Sequence, residues 1–171
     1  SGMQLHHDVV FPAIVDQDGA VGEGPDGKPL AVFESGAILV HLAKKSGMLL
    51  PAEPFQRYAT LEWLSSGSSI GPGFGQAYHF RSAAPERLPY AIDRYTNEVT
   101  RILGVMDRRL GEVEYLAGKD YTIADIASFP WVKGGHTYGQ NMDDFPHVKR
   151  WIAAIKARPA VQRGFKLLDV A

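Results

Sequence analysis

The chain has 171 residues, 45% of them hydrophobic and 22% charged, with 18 basic against 19 acidic side chains for a formal net charge of -1. So even a balance gives no global pull toward nucleic acid or an anionic membrane surface, and the apolar residues come in short periodic pieces, none near the ~20 residues of a membrane span. The absence of cysteine excludes disulfides, thiolate metal sites and a cysteine nucleophile, so redox chemistry would need an external thiol. No basic segment followed by an apolar run marks export, and the expected location is cytoplasmic.

In chain order, Ala13 to Asp16 and Leu30 to Phe33 read as two short strands. A loop rich in Gly, Pro and Asp joins them, and the pair is expected to form a hairpin. From Ser35 the pattern turns helical through Ala37, Ile38, His41 and Leu42 and stops near Gly47. The Pro51/Pro54 pair marks a candidate linker, dividing the chain into residues 1–50 and 51–171.

A helix from about Phe55 follows, loosened by the Gly/Ser stretch from Ser65 to Gly75. Within it, Gly71-Pro72-Gly73-Phe74-Gly75 lacks the lysine and hydroxyl of a phosphate-binding loop and reads as a helix break. From Pro89, the apolar positions Ile92, Tyr95, Val99, Ile102, Met106 and Leu110 step by three and four, one buried stripe of a long helix. Thr122 and Asp125 have the hydroxyl-x-x-acid spacing of a capping box, with Tyr121 and Ile126 at the staple positions. A last helix runs from about Pro146, and Pro159 ends it. Trp63, Trp131 and Trp151 fall at helical positions where core packing is the expectation, rather than a stacking platform for bases.

The segment with most chemical interest is Val32-Phe33-Glu34-Ser35-Gly36-Ala37, where a strand delivers an acid and a hydroxyl to the first turn of a helix. Free N–H groups and the positive end of the helix attract a carboxylate, while Glu34 can hold an ammonium beside it. A free amino-acid end carries both charges. From these residues alone the plainer reading is a helix start capped by Ser35. Gly67-Ser68-Ser69-Ile70-Gly71 fits the G-x-S-x-G pattern, but a helix rather than a strand leads into it, so a hydrolase elbow is not expected. The scattered histidines show no paired metal-ligand spacing, and no metal site is expected.

Six pieces of the chain, in order, resemble the glutathione transferases. They are Phe11 to Asp16, Val32 to Ile38, Pro89 to Tyr95, Tyr121 to Ile126, Phe145 to Trp151 and Arg158 to Val161. The stretches Gly71 to Phe80 and Arg94 to Thr96 are similar to the nu class, whose members resemble disulfide-reducing glutathione enzymes. The resemblance implies a mainly α protein, an all-helical C-terminal domain preceded by a truncated thioredoxin-like β-hairpin and helix. It implies that Glu34 and Ser35 grip the γ-glutamyl end of glutathione. By the same likeness Phe11, before a cis-Pro12, pairs its backbone with the cysteinyl part, and Arg94 reaches a glutathione carboxylate. The residue stripe Arg94, Arg101 and Arg108 also reads as a solvated basic face. Thr122 and Asp125 remain a structural cap.

The resemblance further implies a homodimer that uses glutathione as co-substrate and takes a small electrophile or disulfide as partner. Only Met3 to Val10 precede the Phe11-Pro12 region, too few for the family's opening strand, helix and strand. No residue therefore matches the one that activates the thiol, which leaves a non-catalytic binding or assembly protein as the alternative. Residues 3–11 are expected to add a strand to the hairpin, or a partner chain to supply one. Where nu-class relatives carry bulky aromatics, Leu64-Ser65-Ser66-Gly67-Ser68-Ser69 should leave any second-substrate site roomier and more polar.

Overall fold

A computed structural model describes residues 13–16, 28 and 30–168. Strands β1 (Ala13–Asp16) and β2 (Leu30–Phe33) pair antiparallel, with Ile14 opposite Val32 and Asp16 opposite Leu30. Leu30 and Val32 turn partly inward while Ala31 and Phe33 face out, the alternation expected of a half-covered strand. Helix α1 (Ser35–Ser46) follows directly and closes at Gly47, whose φ of 69° supplies the left-handed residue of a helix C terminus. The expected extra strand within residues 3–11 lies outside the described residues.

The helical body comprises α2 (Pro54–Ser65), α3 (Gly67–Tyr78), α4 (Pro89–Glu112), α5 (Ile123–Val132), α6 (Pro146–Lys156) and α7 (Pro159–Leu168). Its core gathers Phe74 and Ile70 from α3, Val99, Leu103 and Met106 from α4, Phe129 from α5 and Trp151 and Ile155 from α6. The stripe predicted from Pro89 onward is the buried face of α4, with Val99, Ile102, Met106 and Leu110 all inside. A fold that is mainly α, with a β-hairpin and helix before an all-helical body, is what the sequence motifs implied.

Three expectations need correction. Gly71 to Gly75 do not break a helix; they lie within α3, with Pro72 in its interior. The glycines let neighbouring elements come close. A Cβ at Gly73 would sit 3.0 Å from Ile102 Cδ1, and one at Gly71 3.4 Å from the Trp131 indole. Tertiary packing has overridden a poor local propensity. Second, α6 does stop before Pro159, but a further helix starts there, because proline suits a first helical turn as well as it ends the preceding one. Third, Trp131 is 41% exposed, unlike the fully buried Trp151, and Trp63 is only partly buried against the core.

Side chains hold several helix ends, some from positions remote in sequence. Asp107 of α4 accepts from the backbone N–H groups of His147 and Val148 at 2.9 and 3.0 Å, which caps α6. Arg150 of α6 in turn donates to the carbonyls of Leu110, Val113 and Glu114 at the end of α4. Glu53 caps α2 through the N–H groups of Phe55 and Gln56. The Pro51/Pro54 connection is tied down as well, since the Leu49 carbonyl accepts from Ile123 N at 3.0 Å.

Candidate functional site

The start of α1 is the first site element. Glu34 occupies the position before the helix with φ 71° and ψ 122°, a region where only glycine is comfortable, and no side chain caps the helix. The capping reading of Ser35 is therefore corrected: Ser35 is the first helical residue. Ile38 N donates back to the Glu34 carbonyl at 2.9 Å. Among the described residues the N–H groups of the first turn have no side-chain cap, and the Glu34 and Ser35 side chains beside them are exposed. Strain held at a non-glycine residue costs of order 1–3 kcal/mol and tends to cluster where a ligand is gripped. Gly36, one residue on, approaches the end of α2, where a Cβ on it would lie 4.0 Å from Leu64 Cγ.

Phe11 and Pro12 lie outside the described residues. Arg94 stands on the exposed face of α4, 3.9 Å from Glu98 and over the Tyr95 ring at 5.8 Å. It shares no ion pair with Glu34 among the described residues. Glu98 also takes a bidentate bond from Arg101, at 2.9 and 2.7 Å, which is the main reason its carboxyl is held below the usual value. The stripe of three arginines is thus partly neutralised by one acid between two of them.

Thr122 and Asp125 form the capping box that their spacing predicted. Asp125 does more than cap. Its Oδ2 accepts from Thr122 N and Oγ1, while Oδ1 accepts from Leu116 N and from the Trp151 indole at 2.8 Å. Burial raises its carboxyl above the ordinary value despite these donors. A fully enclosed, fully bonded carboxylate faces no space where a substrate could sit, so its work is structural.

Ser66 and Ser69, within the segment expected to be open and polar, line a cavity of about 370 Å³ between α2, α3 and α4. Ser69 lies inside a helix rather than on a strand-to-helix turn, in keeping with the rejection of a hydrolase elbow. Sequence reasoning missed this cavity's far wall, which comes from Arg101, Ile102 and Val105 on α4. It also missed Gln140, whose amide bonds Thr96 O and Thr100 Oγ1 and anchors the 135–144 segment to α4. No sequence spacing links residues so far apart. Among the described residues no three acidic or histidine side chains gather as metal ligands, and no helix is long and apolar enough to cross a membrane.

The family model for the glutathione S-transferase C-terminal domain matches residues 77–159. The disulfide-bond oxidoreductase YfcG of Escherichia coli is 45% identical over 151 residues, covering 88% of this chain and 68% of that protein. YghU, also a disulfide-bond oxidoreductase of that organism, is 42% identical over 147 residues, covering 80% of this chain but 50% of its own length. Among solved structures, a Pseudomonas putida glutathione transferase with one glutathione disulfide bound per subunit superposes with a TM-score of 0.80. It is 45% identical and covers 91% of this chain and 69% of that one. A Burkholderia graminis glutathione transferase with two glutathione molecules per subunit gives 0.79 at 44% identity, covering 90% of this chain and 65% of the other. The chain belongs to the glutathione transferase superfamily, and within it resembles the nu-class disulfide-bond oxidoreductases. It spans between half and about two thirds of the length of these relatives.

Proposed function

We propose that this chain contributes the glutathione-holding part of a glutathione-dependent enzyme that moves the thiol onto an electrophile or reduces a disulfide. The observation that carries the reading is the strained, uncapped start of α1. There the exposed Glu34 carboxylate meets the ammonium of the γ-glutamyl end, and Ser35 with the free N–H groups meets its carboxylate. Phe11 and Pro12 hold the cysteinyl backbone, and Arg94 meets a second carboxylate. A hydrogen bond to the bound thiol would lower its pKa and raise the reactive thiolate fraction at neutral pH. The working unit in this reading is a cytoplasmic homodimer. Similarity to oxidoreductases and to transferases crystallised with glutathione supports it.

The test is calorimetric titration with glutathione, beside activity assays on chlorodinitrobenzene and on a glutathione-linked disulfide. Saturable binding weakened at least about tenfold by Ser35→Ala and Glu34→Gln, the size expected of lost charge-assisted bonds, supports the reading. Binding without turnover supports the non-catalytic alternative. No binding by the wild type overturns the glutathione assignment for this chain.

A further inference from the structure

Another cavity, of about 330 Å³, opens where the start of α2, the end of α4 and the connection from α4 to α5 meet. It shares no lining residue with the α1 start, and its volume reaches the range of small-molecule sites, roughly 300 Å³ and above. Phe55, Val113 and Ala117 give it an apolar wall. The connection is held in shape by two backbone bonds between Tyr115 and Gly118, at 2.8 and 3.0 Å. Gly118 has a φ of 151°, and a Cβ on it would meet nothing within 4 Å.

The polar lining is unevenly satisfied. Arg109 donates through Nε to the Leu116 carbonyl at 3.0 Å, which fixes the plane of its guanidinium. Its ion pair with Glu112 is 3.9 Å long, more than a hydrogen bond spans, and Glu112 is exposed. The outer N–H groups of the guanidinium therefore have no hydrogen-bond acceptor among the described residues. Lys119, also in the lining, makes no ion pair among them either. The hydroxyl protons of the buried Thr60 and Thr122 are already spent, on the Gln56 carbonyl at 2.8 Å and on Asp125 Oδ2 at 3.3 Å. Among the described residues that line the cavity, one acid, Asp120, stands against the two cations.

We propose that this cavity binds a small aromatic carboxylate, its ring against Phe55 and Val113 and its two oxygens on the Arg109 guanidinium, with Lys119 beside them. A guanidinium whose plane is fixed and whose outer N–H groups are unmet matches a carboxylate in both geometry and charge. The apolar wall adds affinity by removing ring area from water. An ammonium on the same ring would face two cations with Asp120 alone to answer it.

The experiment is calorimetric titration of the intact chain, without glutathione, using 2-naphthoate as the probe. 2-Naphthamide and 2-naphthylmethylammonium serve as its neutral and cationic counterparts. Saturable binding is expected for the carboxylate, and binding at least about tenfold weaker for the other two, the size of a lost charge-assisted bond. Arg109→Met should remove the preference for carboxylate over amide. Lys119→Glu, at an exposed position, should weaken the carboxylate roughly threefold, as expected of a rim-exposed charge, and leave the amide unchanged. Gln56→Trp, at an exposed position in the first turn of α2, should abolish binding by filling the cavity. These two variants keep the test decisive if Arg109→Met fails to fold by circular dichroism. Ser35→Ala should leave the carboxylate's affinity unmoved, which separates this site from the α1 start. Amide or ammonium binding as tight as the carboxylate's, affinity unmoved by both Lys119→Glu and Gln56→Trp, affinity lost on Ser35→Ala, or no saturable binding of 2-naphthoate overturns the proposal. Because glutathione is absent, failure here leaves the reading of α1 untouched.

Discussion

The Trp151 indole N–H donates to Asp125 Oδ1 at 2.8 Å, and both residues are wholly excluded from solvent. A carboxylate at the start of α5 and an indole in the middle of α6 are therefore one polar unit inside an apolar core. The same oxygen takes the Leu116 amide. Removing the acid strands three kinds of donor at once.

Asp125→Ala should cost about 3–5 kcal/mol, since Leu116 N, Thr122 N and the Trp151 indole would be buried without partners. Trp151→Phe deletes one donor, keeps most of the apolar volume and should cost about 2 kcal/mol. Urea unfolding followed by far-ultraviolet circular dichroism gives both numbers. Equal costs for the two variants would contradict the network.

Burial raises the Asp125 carboxyl above its ordinary value of 3.8, so the folded state favours its protonated form. For an acid shifted upward, the stabilising contribution is complete below the unfolded value, ~3.9, and is lost as pH rises through the folded one. The stability advantage of wild type over Asp125→Asn should therefore shrink as pH rises above the unfolded value of about 4. The subtraction cancels Glu98 and Asp143, whose carboxyls are shifted downward by Arg101 and Lys149 and act in the opposite sense. An advantage that grows over this range would be the wrong sign.

Asp107→Ala uncaps α6 from a distance. The expected loss is about 1–2 kcal/mol, the usual worth of a cap reinforced by the helix dipole. Hydrogen exchange should quicken first at the His147 and Val148 amides, the two that Asp107 accepts from. Arg150→Met should leave those amides protected and loosen the end of α4 instead, because it releases the Leu110 and Val113 carbonyls.

The glycines of α3 should respond differently to one substitution. Nothing lies within 4 Å of a Cβ at Gly67, so Gly67→Ala should stabilise by about 0.5–1 kcal/mol through the unfolded chain. At Gly73 the same change presses on Ile102 at 3.0 Å and should give no gain or a loss. Thermal unfolding of the two variants side by side is sufficient.

Glu34→Gly should raise stability by about 1 kcal/mol by relieving the φ of 71°. The same substitution should abolish any glutathione retention that depends on the carboxylate. A variant that is both less stable and equally retained would separate the strain from ligand holding.

The hairpin, α1, α2, α4 and the capping box could be read from the chain because each announces itself locally, by alternation, a three-four stripe or a cap within four residues. The cavity and the polar ties could not. Asp107 meets residues 40 and 41 positions away, and Gln140 meets Thr96 and Thr100 at 44 and 40, separations for which sequence offers no pattern. The glycine-rich stretch misled for the opposite reason. Its local signal was strong and pointed to a break, but close approach to Ile102 and Trp131 favours a helix there. At Glu34-Ser35 the residue types were visible, whereas the positive φ that distinguishes a held-open helix start from a capped one was not.

The bond from Ile123 N to the Leu49 carbonyl closes a loop of more than seventy residues on a position that itself has a left-handed φ of 68°. The hairpin-and-α1 segment thus cannot swing away from the helical body without freeing the first amide of α5. That amide becomes a gauge. Its exchange rate, compared with the neighbouring Ala124 amide held by Thr122, would report how often the two parts of the chain separate while each stays folded.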